Sequence, residues 1–338
     1  MNVWRVALFS QERIPFRVVS WNIENLFDTH HDSLKNDYEF LPDALRHWNY
    51  RKYKKKLADI SRVITAVGEW NPPALIGVCE VENDTVLRDL TRRSPLKELS
   101  YRYVITDSHD LRGIDVALLY QRDLFKLLSF RSICIPPLKR YRPTRDLLHV
   151  SGLLLTGDTL DVFVCHLPSR SGGAKESEPY RLHAARILRT QADSILNARV
   201  HPQVIIMGDF NDYPTNKSIQ KVLGAEAPPS MSATPLSPLK LYHLLARKAE
   251  SRDFGSYKYQ GEWGLLDHII VSGTLLDKSG NFFTSEEKAN VASLPFLLIE
   301  DQKYGGKEPF RTYKGMKYQG GSSDHLPIYM DFELIVPL

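Results

Sequence analysis

Cysteine is scarce in this sequence: Cys79, Cys134 and Cys165 are the only three in 338 residues. An odd, scattered set provides neither a disulfide framework nor a metal-binding spacing. Cys79 and Cys165 each close an apolar stretch. Free cysteine is among the residue types most often buried, so both read as small core residues. Long apolar runs are lacking as well. The longest, such as Gly152-Leu153-Leu154-Leu155, falls far short of the about 20 residues that cross a bilayer, which excludes a membrane-spanning helix. The apolar patch at residues 6–9 is shorter than the roughly 7–15 residues of a secretory signal. A cytoplasmic protein and an exported one whose signal has been removed both stay open. Nor does one charge dominate: 44 Lys and Arg stand against 40 Asp and Glu, a net +4. That balance admits an anionic substrate but does not describe a protein that coats nucleic acid. With 43% hydrophobic and 25% charged residues, the chain is soluble and globular rather than disordered or fibrous. There is no internal repeat, low-complexity tract or obvious linker.

What is present is a series of short β-type runs that stop at polar residues. Residues 17–21 end at Asn22 and Glu24, and residues 74–79 end at Glu80. Residues 114–120 form another run, and 161–165 end at His166. Residues 203–207 end at Gly208-Asp209-Phe210-Asn211-Asp212, 265–271 carry Asp267 and His268, and 326–332 follow Ser323-Asp324-His325. Continuous apolar runs of this length suit strands buried on both faces. Helical spacing lies between them. Residues 54–69 place Leu57, Ile60, Ile64 and Val67 three to four apart, and Pro72-Pro73 stop the pattern because proline cannot continue a helix. Residues 178–199 give the longest predicted helix, and residues 215–223 a short one with Thr215 as its N-cap. Interspersed strands and helices predict α/β layers of mixed sheet. Residues 27–48 and 300–322 read as long loops, either functional or variable surface insertions.

Strand ends are where a rigid backbone meets solvent, and chemistry gathers there. The residues collected at these ends are Asn22, Glu24, Glu80, His166, Asp209, Asn211, Asp267, Asp324 and His325, with five carboxylates, two histidines and no cysteine among them. Oxygen-rich sets favour a hard cation such as Mg²⁺ or Mn²⁺ over zinc. A hard cation with His and Asn donors suits hydrolysis at phosphorus. Any one of these residues alone is more often a turn residue or a cap; the set together carries the reading.

In order along the chain, Trp21-Asn22-Ile23-Glu24, the Glu80 strand end, His166, Gly208-Asp209-Phe210-Asn211, Leu266-Asp267-His268 and Ser323-Asp324-His325 resemble the motifs of the endonuclease/exonuclease/phosphatase superfamily. The resemblance implies one domain over residues 16–338, preceded by an N-terminal extension of residues 1–15. It implies a four-layer α/β sandwich, two packed mixed β-sheets flanked by helices, as in deoxyribonuclease I-like proteins. It also implies Mg²⁺-dependent phosphoester hydrolysis, with Mn²⁺ able to substitute, and a monomer acting on a phosphate ester, nucleic acid among the candidates. By the same resemblance Glu80 is the principal metal ligand, with Glu24 and Asp324 beside it, although relatives often carry Asp where Glu24 stands. Asn22 orients the site and the substrate phosphate. His325 lies beside the scissile phosphate with Asp267 as its carboxylate partner, and either His325 or Asp209 takes the proton of the attacking water. Asn211 donates to a nonbridging oxygen, and His166 contacts phosphate or assists the leaving group. Arg170 and Arg112 are expected to touch the substrate, Arg170 by a bidentate grip.

Three features stay outside that set. The run Arg51-Lys52-Tyr53-Lys54-Lys55-Lys56 reads as a solvated helix face rather than a track for a polyanion. His30 and His31 read as solvated loop residues. The cations and tyrosines of residues 300–322 suit either a flipped nucleotide or a sugar or lipid phosphate. The leading expectation is a nuclease-like phosphodiesterase. The alternative, favoured by the modest net charge, is a phosphatase or phosphodiesterase on a small sugar, inositol or lipid phosphate. A non-catalytic phosphate-binding module comes third, because the set of site residues is intact.

Overall fold

A computed structural model describes residues 11–138, 142–229 and 236–337; the apolar patch at residues 6–9 lies outside these. Each of the apolar runs forms a strand, and the strands assemble into two large sheets. The first sheet has seven strands. Its order is β13 (Phe282–Phe283), β19 (Ile328–Pro337), β1 (Gln11–Leu26), β2 (Leu75–Val81), β4 (Asp115–Tyr120) and β3 (Arg102–Ile105), with β14 (Ala289–Val291) also pairing β19. The second sheet has six, in the order β5 (Phe125–Ile133), β6 (Leu147–Leu154), β7 (Thr159–His166), β8 (Gln203–Asp209), β12 (Asp267–Ser272) and β9 (Leu241–His243). Both are mixed. β1 runs parallel to β2, and β7 parallel to β8, within otherwise antiparallel neighbours.

The alternation of side chains along each strand explains the layers. Val18, Leu75, Cys79, Val116 and Leu118 of the first sheet meet Val150, Val162, Val164, Ile205, Met207 and Ile269 of the second in one core between the sheets. The opposite faces take helices. Val19, Trp21, Ile76 and Val78 pack under α1 (Tyr50–Gly68) and α2 (Asp84–Arg93). Phe163, Val204, Ile206 and Ile270 pack under α3 (Ala174–Ala198). The chain is thus a four-layer α/β sandwich. Where the sheets approach most closely β2 has Gly77, at which a Cβ would stand 2.7 Å from the Met207 sulfur. Cys79 and Cys165 are both buried without a disulfide, as expected.

Several boundaries differ from expectation. Residues 11–15 belong to β1 and pair with residues 333–337 of β19. Pro15 is tolerated there because β2 first pairs with β1 at Val18, leaving this stretch one neighbour. α2, with its Asn83 N-cap, escaped the sequence reading because it is short and mostly polar. The short helix near residue 220 runs Ser218–Leu223 and has no side-chain cap from Thr215. Residues 27–48 are held by an aromatic cluster of their own: Phe27 stacks on Phe40 at 4.2 Å, and Trp48 Nε1 donates to the Phe27 carbonyl at 3.0 Å. Residues 300–322 fold into two small hairpins, β15 (Leu298–Glu300) with β16 (Lys307–Pro309), and β17 (Tyr313–Lys314) with β18 (Lys317–Tyr318).

The basic run is the largest correction. Lys56 is not on a solvated face: it is 2% exposed. Its ammonium donates to the Glu24 carbonyl, Thr312 Oγ1 and the Ser322 carbonyl. Among the described residues no helix is long and apolar enough to cross a membrane.

Candidate active site

Register brings three of the predicted residues side by side. His166 pairs with Asp209 across β7 and β8, and Asp209 pairs with Asp267 across β8 and β12. The three therefore form one row across the end of the second sheet. Gly208 permits the row, with φ +139° and no room for a side chain, since a Cβ there would lie 1.8 Å from the Cys165 carbonyl oxygen.

The first sheet contributes from the facing layer, through two adjacent bulges. Between Asn22 and Leu26 β1 has three residues, against the single Glu80 that β2 has between Cys79 and Val81. Glu24, Asn25 and Glu80 have φ between +48° and +65°, left-handed conformations that non-glycine residues adopt at a cost and that gather at functional sites. The extra residue re-aims Glu80 into the cavity while Val81 returns to the helix side. The sheets are tied together here. Asn22 Nδ2 donates to Asp209 Oδ2 at 3.0 Å, Ser323 Oγ donates to the Asn22 carbonyl at 2.6 Å, and Trp21 Nε1 donates to the His325 carbonyl at 2.9 Å.

The result is a cavity of about 650 Å³ lined by Asn22, Glu80, Arg112, His166, Arg170, Asp209, Asn211, Asp324 and His325 among others. Asp267 lies just behind it, fully buried. His325 Nδ1 donates to Asp267 Oδ2 at 2.7 Å, and Ser256 Oγ donates to the same oxygen at 2.6 Å. His325 Nε2 then faces Asp209 Oδ2 at 3.9 Å. Burial alone would lower the basicity of His325; the Asp267 and Asp209 carboxylates reverse the sign and hold its imidazolium well above the usual histidine range. Asp209 is pushed up to about 7, chiefly by burial and then by Asp267, against the pull of His325 and hydrogen bonds from Asn211 and Asn22. His166 stays neutral. Burial and the nearby Arg145 and Arg112 charges lower it far below its usual range. Its Nε2 is 3.5 Å from Asp209, and its buried Nδ1 has no partner among the described residues.

Three predicted residues have other work. Glu24 is 4% exposed and does not line the cavity. Its two carboxylate oxygens accept the Thr312 and Tyr313 backbone N–H groups at 2.6 and 3.1 Å, so Glu24 anchors that loop. Burial, and next the Asp324 charge, push Glu24 up to about 7. Arg170 reaches the cavity, but its Nε donates to the Asn211 carbonyl at 2.7 Å and its Nη2 to Asn216 at 2.9 Å and Asp212 at 3.3 Å. It braces the loop bearing Asn211 instead of offering a free fork. Asn211 spends one amide N–H on the Leu167 carbonyl at 3.1 Å and keeps the other. Arg112 donates to Asn25 Oδ1.

The sequence reading missed Arg145 and Tyr257. Arg145 lines the cavity, is 7% exposed and donates to the Leu167 carbonyl at 2.8 Å, while its Nε has no partner among the described residues. It precedes β6, and because β6 is antiparallel to β7, the start of one lies level with the end of the other. A search of strand starts as well as strand ends would have found it. Tyr257 lays its ring 4.9 Å from that of His325.

The donor set fits a hard cation. Glu80 faces the cavity, accepts only the Asn25 N–H at 2.9 Å and has no ion pair among the described residues. Ligand atoms of Asp209, Asp267 and His325 also lie within 4.8 Å of one another. These three buried side chains are a second place where a cation could be held.

The comparisons agree with this architecture. Three solved structures share the fold at low sequence identity. The mannosyl-6-phosphatase of Bacteroides thetaiotaomicron VPI-5482 is 15% identical, with 95% of this chain and 99% of that one covered and a TM-score of 0.57. D. rerio TDP2 complexed with a single-strand DNA product is 17% identical, covering 94% and 98%, with a TM-score of 0.55. The human Nocturnin catalytic domain with bound sulfate is 19% identical, covering 95% and 97%, with a TM-score of 0.53. No curated protein sequence matches significantly. The model of the endonuclease/exonuclease/phosphatase family matches residues 17–334, and with nearly the whole chain matched, the protein belongs to that family of phosphoesterases.

Proposed function

We propose that this protein hydrolyses phosphodiesters in the manner of a nuclease, with a divalent cation, Mg²⁺ or Mn²⁺, and a water as nucleophile. The observation that carries the reading is the Asp267–His325–Asp209 array opening into the same cavity as Glu80. Glu80 would hold the ion, with Asp324 at its edge and Asn22 orienting Asp209 toward it. When bound, such an ion polarises a phosphoryl oxygen and gathers its negative charge. The remaining roles belong to the side chains. Asp209, made more basic by its burial, takes the proton of the attacking water through Oδ2. His325, kept cationic by Asp267, presents Nε2–H to a nonbridging oxygen as charge builds there. Asn211 offers its free amide N–H to the same phosphoryl group. Neutral His166 and Arg145 stand at the side where the leaving group departs, and Arg112 faces the substrate's flank.

A second reading, a phosphatase on a small sugar, inositol or lipid ester, is supported by the modest size of the cavity, which Tyr213, Tyr257 and Tyr259 line on one side. One experiment separates the two. Bis-p-nitrophenyl phosphate, plasmid DNA and a panel of phosphomonoesters are each incubated with Mg²⁺ or Mn²⁺. Diester turnover that disappears in Glu80→Ala and His325→Ala is expected, and turnover of monoesters alone would favour the second reading. Absence of turnover on all of them would overturn the enzyme assignment, and full activity in either variant would overturn the site.

A further inference from the structure

Glu24 and Asp324 share one guanidinium. Arg311 Nη2 donates to Asp324 Oδ2 at 2.7 Å, and Arg311 Nε lies 3.9 Å from Glu24 Oε1. That Nε is buried and has no hydrogen-bond partner among the described residues. The arginine is delivered to this place rather than resting there loosely. The next two backbone N–H groups are locked onto Glu24, and Lys56 grips Thr312 and Ser322 on either side of the loop. Asp324, at the cavity, and Glu24, behind it, both face the Arg311 guanidinium, and Asp209 faces His325. Glu80 is left in the cavity with no ion pair among the described residues, a charge that one divalent ion offsets.

We infer that Arg311 is a resident cation, standing between Glu24 and Asp324 where a second divalent ion would otherwise bind, so that the chain holds a single ion at Glu80. This rests on the metal-dependent reading above and deepens it. A guanidinium is permanently charged and directional. It fixes Asp324 in place but cannot bind or ionise a water as a second metal would, which leaves water activation to Asp209.

The test is metal stoichiometry, read without substrate on the full chain by calorimetric titration with Mn²⁺ and by the paramagnetic resonance signal of unbound Mn²⁺. One ion per native chain is expected, two in Arg311→Gln, one in Arg311→Lys, and one again when Arg311→Gln is combined with Glu24→Gln. Two ions in the native chain, or one in a folded Arg311→Gln, overturn the inference while leaving the metal-dependent reading intact. No ion in the native chain overturns that reading itself, and the inference with it. Should Arg311→Gln fail to fold, the native chain and Arg311→Lys decide: one ion in each is expected, and two in either would refute the assignment.

Discussion

Replacing Asp267 by Asn isolates the charge beside His325 while keeping the shape that receives it. The carboxylate is fully buried, accepts His325 Nδ1–H at 2.7 Å, and is steadied by Ser256. Opposite unit charges about 4 Å apart in an environment of effective dielectric near 20 attract by about 4 kcal/mol. At about 1.4 kcal/mol per pH unit, removing one of them lowers the imidazolium's basicity by roughly three pH units. Burial already opposes the charged form, so Asp267→Asn moves His325 toward the neutral imidazole. Losing a preorganised cation at a developing oxyanion costs about 10² to 10³ in kcat. Two measurements check this. Nitrogen-15 NMR titration of the histidines should show one imidazolium, protonated at pH 7.5 in the native chain, become neutral in the variant. Steady-state kinetics on bis-p-nitrophenyl phosphate should show kcat falling while KM and the calorimetric affinity for Mg²⁺ stay near native values. A variant that keeps kcat within tenfold, or one that loses Mg²⁺ instead, would refute the division of labour proposed for His325 and Glu80.

Three further outcomes follow from other parts of the molecule. Lys56→Met strips three buried acceptors of their donor and leaves Glu24 beside an uncharged neighbour, which should cost about 3–5 kcal/mol in urea unfolding; a loss below about 1 kcal/mol, the level of a surface pair, would contradict the network. His243 is buried against His268, and burial followed by the His268 charge holds it well below the usual histidine range. It stays neutral in the fold while the unfolded chain protonates below about pH 6.5, so its contribution is present above that pH and fades as pH falls. The native chain should lose about 2 kcal/mol at pH 5 through this residue, and His243→Gln should show a stability drop between pH 7 and pH 5 that is smaller by that amount; equal drops would refute it. Gly208→Ala must move backbone, since the new Cβ would sit 1.8 Å from the Cys165 carbonyl oxygen. A thermal melt should report a loss above about 3 kcal/mol or no folded protein.

The sequence made the doubly buried strands legible because Val204, Ile205 and Ile206, or Val18 and Val19, must face apolar layers on both sides. β5 stayed hidden for the converse reason. It is an edge strand whose Leu128 and Phe130 are half exposed, so it carries no continuous apolar signature. Polar residues after those runs, such as Glu80 and Asp209, could be picked out one by one. Their convergence could not, because it depends on register and on bulges at Glu24 and Glu80 that no local spacing announces. Glu24 shows the limit most clearly. Its chemistry suited a metal, but a loop nearly 290 residues later supplies two backbone N–H groups to the same carboxylate. Lys56 was more accessible to reasoning than the charge run suggested. It lies three residues after Tyr53 and four before Ile60, both buried on the inner stripe of α1, and that period alone marks it as facing inward.

The pairing of β1 with β19 joins residues more than 300 positions apart along most of both strands. Contacts that distant form slowly, because chain closure must precede their reward. They also order events during synthesis. At roughly 5–20 residues per second a ribosome needs about 15–60 seconds between placing Asn22 and placing His325. Throughout that interval β1 lacks its neighbour and the cavity lacks its histidine. A nascent chain of this protein therefore carries an open first sheet and an unfinished cavity until β19 docks.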